Sequence, residues 1–160
     1  MAKSNLKLTI LRTVGLLALC GLVSGATSPV WAAMPGVTPS VHVVSTDRGG
    51  AVAERIRAVR DLRHAGTEVQ ITGDLCLSTC TMLLGLAEAC VSPHTTFGFH
   101  GPSRRGRPLD ADTFEKVSRL IAAHYPRQIR QWYMSVARYR LDGVYEIGGD
   151  QLIAAGLKAC

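Results

Sequence analysis

Short β-branched segments alternate with helical ones along the chain from residue 40 onward, and this alternation restricts the fold more than any other feature. Strands are predicted at residues 40–46 (SVHVVST), 67–72 (TEVQIT) and 95–100 (TTFGFH). Apolar side chains at helical spacing predict a helix between the first two strands, over residues 51–64. Strand-helix alternation of this kind indicates an α/β fold with a mainly parallel sheet.

The remaining elements follow from turn residues and periodicity. The segment GDLCLS (residues 73–78) is predicted to turn the chain, and residues 79–89 to form a compact apolar helix. The loop GPSRRGRP (101–108) is expected to lack regular structure. A long helical segment follows from residue 112 with an interruption near Pro126, and a short helix over residues 150–155 ends at Gly156.

The first 32 residues have the pattern of a secretory signal peptide. Lys3, Lys7 and Arg12 precede a short apolar run over residues 14–23, and small and polar residues lead to a cleavage site after Ala32. A transmembrane anchor would need a longer apolar run. A lipoprotein signal ending at Cys20 would need a small residue where Leu19 stands.

Cleavage after residue 32 would lower the formal net charge from +6 to +3, because residues 1–32 carry three basic and no acidic side chains. Residues 33–160 are then enough for a single domain with one core. We expect a periplasmic or secreted protein that is not embedded in the membrane after cleavage. Export makes nucleic acid an unlikely partner.

Four cysteines, Cys76, Cys80, Cys90 and Cys160, remain after cleavage, and disulfides persist in an exported protein. Their number alone leaves three pairings open. A turn could bring Cys76 to Cys80, whereas a helix over residues 80–90 would hold its ends about 15 Å apart. We therefore expect Cys76 to pair with Cys80, and Cys90 with Cys160. A zinc site is not favoured because the C-x3-C spacing is unusual and no paired histidines follow.

The segment CLSTC (residues 76–80) places Ser78 at the start of the predicted apolar helix. Free N–H groups there favour a developing negative charge. His100 ends the next strand, and Gly49-Gly50 follows the first one, where backbone N–H groups can approach an anion. Serine, histidine and a glycine turn are the parts that acyl transfer requires. Taken singly, Ser78 would be read as a helix N-cap and His100 as a structural residue.

The order STDRGGAV, GDLCLSTCTMLLGLAEACVSPHTTFGFHGP, GGDQLIAAGLKA resembles the proteolytic subunit of Clp protease and the wider Clp/crotonase superfamily. With the N-terminal signal, the closest resemblance is to short exported Clp-like proteins of Gram-negative bacteria. The resemblance implies a spiral of β-β-α units with a mainly parallel sheet. It also implies an exported serine hydrolase, a peptidase acting on peptides or unfolded polypeptides.

The resemblance assigns roles residue by residue. Ser78 matches the nucleophile, His100 the base, and Gly50 and Thr79 the N–H donors of the oxyanion hole. Asp142 is the candidate for the third member of the triad, although it aligns only with a shift of about two residues, and Glu146 is the alternative. The chain departs from the family pattern at Cys80, where the Clp subunit has glycine.

A second functional class stays open: a catalytically silent Clp-like module that binds peptide or assembles with copies of itself. The chain has no G-x-x-x-x-G-K nucleotide loop, and no cofactor or metal is expected. Residues 112–140 carry Trp132, Tyr133, Met134 and Tyr139 close together, more large side chains than one buried helical stripe absorbs. This predicts a homo-oligomer formed through that segment.

Overall fold

The computed structural model describes residues 40–160, which belong to one compact unit. The predicted signal peptide lies outside the described residues. Five strands are β1 Val41–Asp47, β2 Glu68–Leu77, β3 Ala89–Val91, β4 Thr96–Phe99 and β5 Tyr145–Gly148. Four α-helices are α1 Val52–His64, α2 Ala111–Ala122, α3 Arg127–Ser135 and α4 Gly149–Ala154. Two 3-10 helices span Ser78–Gly85 and Ala137–Tyr139.

The strands form one sheet in the order β1-β2-β4-β5, and β3 also pairs with β2. All pairs are parallel except β4 with β5. The long strand β2 therefore lies at the centre, with β1 on one side and β3 followed by β4 on the other. The prediction of a mixed α/β fold with a mainly parallel sheet is confirmed.

A β-bulge between Val44 and Thr46 shifts the register of β1 against β2. At this point the backbone of Gly73 passes so close to Ser45 that any Cβ on Gly73 would overlap the Ser45 carbonyl. The close approach lets β2 continue past the bulge and pair with the second half of β1. Only glycine fits at position 73 without moving one of the two strands.

The predicted elements at residues 40–46, 51–64 and 95–100 match β1, α1 and β4. The turn predicted over residues 73–78 is wrong, because β2 runs on to Leu77. Its second half pairs with β1 and β4 at the same time, as in Cys76 opposite both Asp47 and Phe97. Backbone hydrogen bonds to both neighbours override the Gly-Asp turn signal.

The helix predicted over residues 79–89 is also wrong in type and length. A 3-10 helix ends at Gly85, where a Cβ would overlap the His124 carbonyl, and β3 then begins at Ala89. Residues 89–91 pair with Val69, Gln70 and Ile71 of β2. A three-residue strand and the four-residue antiparallel strand β5 are too short to give a periodic signal, so the sequence did not predict them.

An aromatic cluster joins the sheet to α2 and α3. Phe99 makes edge contacts with Tyr125 and Trp132, at ring-centroid distances of 5.8 and 5.3 Å, and Tyr125 contacts Tyr133 at 5.2 Å. Tyr133 is fully buried, whereas Tyr139 is 59% exposed. The aromatic residues of this segment therefore mainly cover the core, and the homo-oligomer remains a prediction.

Both predicted disulfides are present. Cys76 pairs with Cys80, and Cys90 with Cys160, across Cα separations of 5.2 and 4.9 Å. The second bond fixes the C-terminal segment on β3, and two backbone hydrogen bonds accompany it: Val91 N–H to the Lys158 carbonyl and Cys160 N–H to the Val91 carbonyl. Paired cysteines are typical of proteins from oxidising compartments.

Candidate active site

Ser78 and His100 meet at the carboxyl ends of two neighbouring parallel strands. β2 ends at Leu77 and β4 at Phe99, and Leu77 pairs with Gly98 in register. The residues that follow these strands are therefore neighbours in space, as expected for an α/β sheet. His100 Nε2 lies 2.8 Å from Ser78 Oγ, which is hydrogen-bonding distance.

The second nitrogen of His100 defines its tautomer. Nδ1 lies 2.7 Å from the carbonyl oxygen of Gly101. A carbonyl can only accept, so this hydrogen bond requires the proton on Nδ1. Nε2 of the neutral ring is then unprotonated and accepts from the Ser78 hydroxyl, the arrangement that a general base needs.

Ser78 itself has an unusual backbone conformation, with φ of 56°. Non-glycine residues rarely adopt this left-handed region, and such residues concentrate at functional sites. Thr81 donates a hydrogen bond of 2.6 Å to the Ser78 carbonyl. This contact fixes the direction of the Ser78 peptide group at the sharp turn between β2 and the 3-10 helix.

A buried tyrosine completes this support. Tyr125 Oη lies 2.7 Å from Thr81 Oγ1. Because Thr81 uses its one hydroxyl proton toward Ser78, Tyr125 must be the donor to Thr81. Burial raises the pKa of Tyr125 above its ordinary value, so the phenol stays protonated and keeps that role. Two successive hydrogen bonds thus link Tyr125, which follows α2, through Thr81 to the candidate nucleophile Ser78.

The Gly49-Gly50 turn lies against Ser78 on the other side. Gly49 has φ of 93°, and a Cβ there would lie 2.5 Å from Ser78 Cβ and 3.0 Å from Ser78 Oγ. The turn is fixed by Asp47, which accepts from the Gly49 N–H at 2.7 Å and forms an ion pair with Arg55 of α1. Glycine is required here by both its backbone angle and the missing Cβ.

The two proposed oxyanion donors lie next to each other. Thr79 Oγ1 donates a long hydrogen bond of 3.4 Å to the Gly50 carbonyl. Thr79 is the second residue of the 3-10 helix, where N–H groups have no partner within the helix. No heavy atom lies within 4 Å of the place where a Cβ on Gly50 would stand, so the space on that side of the residue is open. Both residues line the same cleft as Ser78 and His100.

The Cys76–Cys80 disulfide encloses Ser78 within the shortest loop that the four cysteines could form. Both half-cystines are fully buried, one on β2 and one in the 3-10 helix. The side chain of Cys80 thus links the start of the 3-10 helix covalently to β2. The disulfide therefore holds both sides of the strained turn at Ser78.

The cleft beside Ser78 has a volume of about 600 Å³. Its apolar wall comes from α2 and the residues near it, namely Leu109, Val117, Ile121 and Tyr125. The loop after His100 also lines the cleft, and its exposed residues Arg104 and Arg105 form part of the rim. A cleft of this volume, with an apolar wall and a few polar groups, has the usual properties of a ligand-binding site.

The rim loop has more structure than the sequence predicted. Arg104 and Arg107 exchange two backbone hydrogen bonds of 2.9 and 3.0 Å. The two residues between them both have positive φ, 52° at Arg105 and 76° at Gly106. This is the pattern of a two-residue type I′ hairpin turn. The expectation of an irregular loop over residues 101–108 is thus wrong at its tip.

Asp142 and Glu146 are both exposed, and neither forms a hydrogen bond with His100 among the contacts of residues 40–160. The structure thus brings Ser78, His100, Gly50 and Thr79 together but does not bring Asp142 to them. The Gly101 carbonyl occupies the position next to Nδ1. Sequence reasoning also missed Thr81 and Tyr125, and their 44-residue separation left no local signal.

Within the part of the chain that the structure describes, no group of three or more His, Cys, Asp or Glu side chains is placed to bind a metal ion. In the same range, every helix is too short or too polar to cross a membrane. No protein-family model matches the chain, and no curated protein shows significant similarity to it.

Proposed function

We propose that this protein is an exported serine hydrolase of the Clp-like type that cleaves peptides or unfolded polypeptides. The observation that carries the proposal is the 2.8 Å contact between Ser78 Oγ and His100 Nε2, with Nδ1 held protonated by the Gly101 carbonyl. A serine that only capped a helix would not require a neighbouring histidine whose Nε2 is free to accept its proton. The Clp-like spiral and the periplasmic or secreted location are part of the same proposal.

In the first half of the reaction, Ser78 Oγ bonds to the substrate carbonyl carbon as its proton passes to His100 Nε2. The carbonyl oxygen becomes an oxyanion, and the N–H groups of Gly50 and Thr79, two residues that line the cleft, are its proposed donors. Collapse of this intermediate breaks the C–N bond. The leaving amine takes the proton from Nε2, and an acyl ester remains on Ser78.

In the second half, water replaces the amine. His100 Nε2 removes a proton from the water as its oxygen bonds to the acyl carbon. The ester C–O bond then breaks, Ser78 Oγ recovers the proton from Nε2, and the carboxylic acid leaves. The neutral Gly101 carbonyl orients the imidazole through this cycle in the position where a triad would have a carboxylate.

A fluorophosphonate probe tests the proposal directly, because it labels only an activated serine. We expect purified protein with both disulfides intact to be labelled, and Ser78→Ala to abolish the label. Ser103→Ala is the matched control, since Ser103 is an exposed serine that lines the same cleft. His100→Asn should slow labelling by about 10²- to 10⁴-fold, the usual contribution of general base catalysis.

Unlabelled wild-type protein would contradict the proposal. Equal labelling of Ser78→Ala and wild type would contradict the assignment of the nucleophile. The catalytically silent binding module predicts no labelling together with retained peptide binding.

A further inference from the structure

The hairpin tip at Arg104–Arg107 carries three arginines in a four-residue turn, on the rim of the cleft that contains Ser78. Arg104 and Arg105 line this cleft, and with Arg107 they also line an adjoining hollow of about 440 Å³. All three residues are exposed. Their guanidinium groups are therefore available to a ligand that lies in the cleft.

These arginines have no acidic partner within residues 40–160: the ion pairs of this range involve other side chains. The nearest carboxylate in the same hollow is Asp110, and it is engaged as the N-cap of α2, accepting from the Thr113 N–H at 2.9 Å. Arg104 attracts this carboxylate through space, so three guanidinium groups share one carboxylate in the hollow and the rim keeps a net positive charge.

The backbone of the turn gives an independent observation. Ser78 and Arg105 are the two non-glycine residues of the described range with positive φ, and both line the same cleft. A type I′ turn favours Asn, Asp or Gly at the position that Arg105 occupies. A large charged residue is thus held where it is conformationally unfavourable, as is usual at functional sites.

We propose that the arginine hairpin is a substrate subsite that binds a carboxylate, so that the preferred substrates are peptides with an acidic group near the scissile bond. This inference rests on the proposed function, since it names the substrate class of the same site. The apolar wall of Val117, Ile121 and Tyr125 receives a large apolar side chain of the peptide. The guanidinium groups of Arg104 and Arg105 bind the carboxylate through charge-assisted hydrogen bonds.

Two sources of carboxylate fit this chemistry, an Asp or Glu side chain and the C-terminus of a short peptide. The test uses a peptide set with a central Leu and with Glu, Gln or Lys placed at each of three positions on either side. Each peptide is made with a free acid and with an amide at its C-terminus. Binding to Ser78→Ala is measured by fluorescence anisotropy, and cleavage is measured with the wild type.

We expect the best Glu peptide or free-acid peptide to bind about five- to tenfold more tightly than its neutral counterpart, and the preference to fall in about 1 M salt. In the background of Ser78→Ala, Arg104→Gln combined with Arg105→Asn should abolish the preference, because asparagine keeps the turn conformation while the charges are lost. Arg57→Gln, an exposed arginine of α1 that lines neither hollow, should leave it unchanged.

The two proposals fail in different ways. Charge-selective binding by Ser78→Ala without any cleavage by wild type would support the subsite and refute the hydrolase. Cleavage of neutral and acidic peptides at equal rates and with equal affinity would refute the subsite and leave the hydrolase standing. A charge preference that persists in the double arginine variant would also refute the subsite, and so would a lack of binding to every peptide.

Discussion

The two disulfides close loops of very different length, and their reduction should cost correspondingly different amounts of stability. Cys90–Cys160 joins residues 70 positions apart, whereas Cys76–Cys80 joins residues 4 apart. The chain-entropy relation gives about 4.4 kcal/mol at 25 °C for the long loop and about 1.9 kcal/mol for the short one. The long loop should therefore contribute more than twice as much to the free energy of unfolding.

Two double variants isolate the bonds. Cys76→Ala/Cys80→Ala keeps only the long loop, and Cys90→Ala/Cys160→Ala keeps only the short one. The free energy of unfolding of each is measured in urea, once oxidised and once with a reductant. Each variant is compared with itself in the two redox states. The loss of stability caused by replacing the buried cysteine side chains at positions 76 and 80 is the same in both states and therefore cancels.

The reasoning is refuted if reduction of Cys76–Cys80 lowers the free energy of unfolding by as much as, or more than, reduction of Cys90–Cys160 does.

Activity should depend more on the short loop than on the long one. Reduction of Cys76–Cys80 frees both sides of the Ser78 turn, so fluorophosphonate labelling per folded molecule should fall. Reduction of Cys90–Cys160 should leave labelling of the folded fraction unchanged, because that bond lies between β3 and the C-terminal segment.

Three substitutions test the surroundings of the site. Gly49→Ala should lower kcat/KM for peptide cleavage by about tenfold or more, because its Cβ would lie 2.5 Å from Ser78 Cβ at a strained φ. Tyr125→Phe removes the donor to Thr81 and should reduce the free energy of unfolding in urea by about 1 kcal/mol. Hydrogen bonds from Arg138 and Arg119 lower the pKa of Glu115. The stability that Glu115 provides is thus present above its unfolded-state pKa, near the model-compound value of 4.5, and is lost as the pH falls through the folded-state pKa. Glu115→Gln should therefore destabilise the protein in urea at pH 7, and the difference from wild type should shrink on acidification.

Matched controls exist for the substitutions at Gly49 and Tyr125. Gly66→Ala introduces a comparable left-handed alanine with nothing within 4 Å, so it should affect stability but not cleavage. Tyr133→Phe removes a buried hydroxyl that lies near Ser118 but makes no hydrogen bond of good geometry in the described part of the chain, so it should destabilise the fold less than Tyr125→Phe does. Equal effects of the Gly49 and Gly66 variants on kcat/KM, or of the Tyr125 and Tyr133 variants on stability, would contradict the assignments.

His100 could be predicted at a strand end because TTFGFH has a strand pattern, whereas Ser78 was placed after a turn that the structure replaces with the second half of β2. In the structure β2 lies beside β4, and parallel neighbouring strands bring their carboxyl ends to one edge, which places the two side chains together. The disulfide pairing was likewise predictable, although the helical premise for residues 80–90 was wrong. A 3-10 helix followed by a strand also carries Cys90 away from Cys80.

The supporting contacts could not be predicted in the same way. The Gly101 carbonyl that orients His100 is a backbone atom and has no residue-type signal. The bond from Tyr125 to Thr81 depends on how α2 packs against the 3-10 helix, which no local pattern encodes. The end of β2 was missed because pairing with strands on both sides, a tertiary effect, outweighs the turn preference of Gly73.

The close approach of Gly73 to Ser45 has a consequence for how natural relatives of this chain should be compared. A glycine that cannot accept a Cβ without displacing a strand will be retained in active and inactive relatives alike. Gly101, packed against the Arg138 carbonyl, belongs to the same group. Gly50 is different, since an added Cβ would meet nothing within 4 Å. Across diverged sequences, retention of glycine at position 50 would report the backbone conformation of the turn beside Ser78, since its φ of 159° strains other residues, whereas retention at position 73 would report the close approach of two strands.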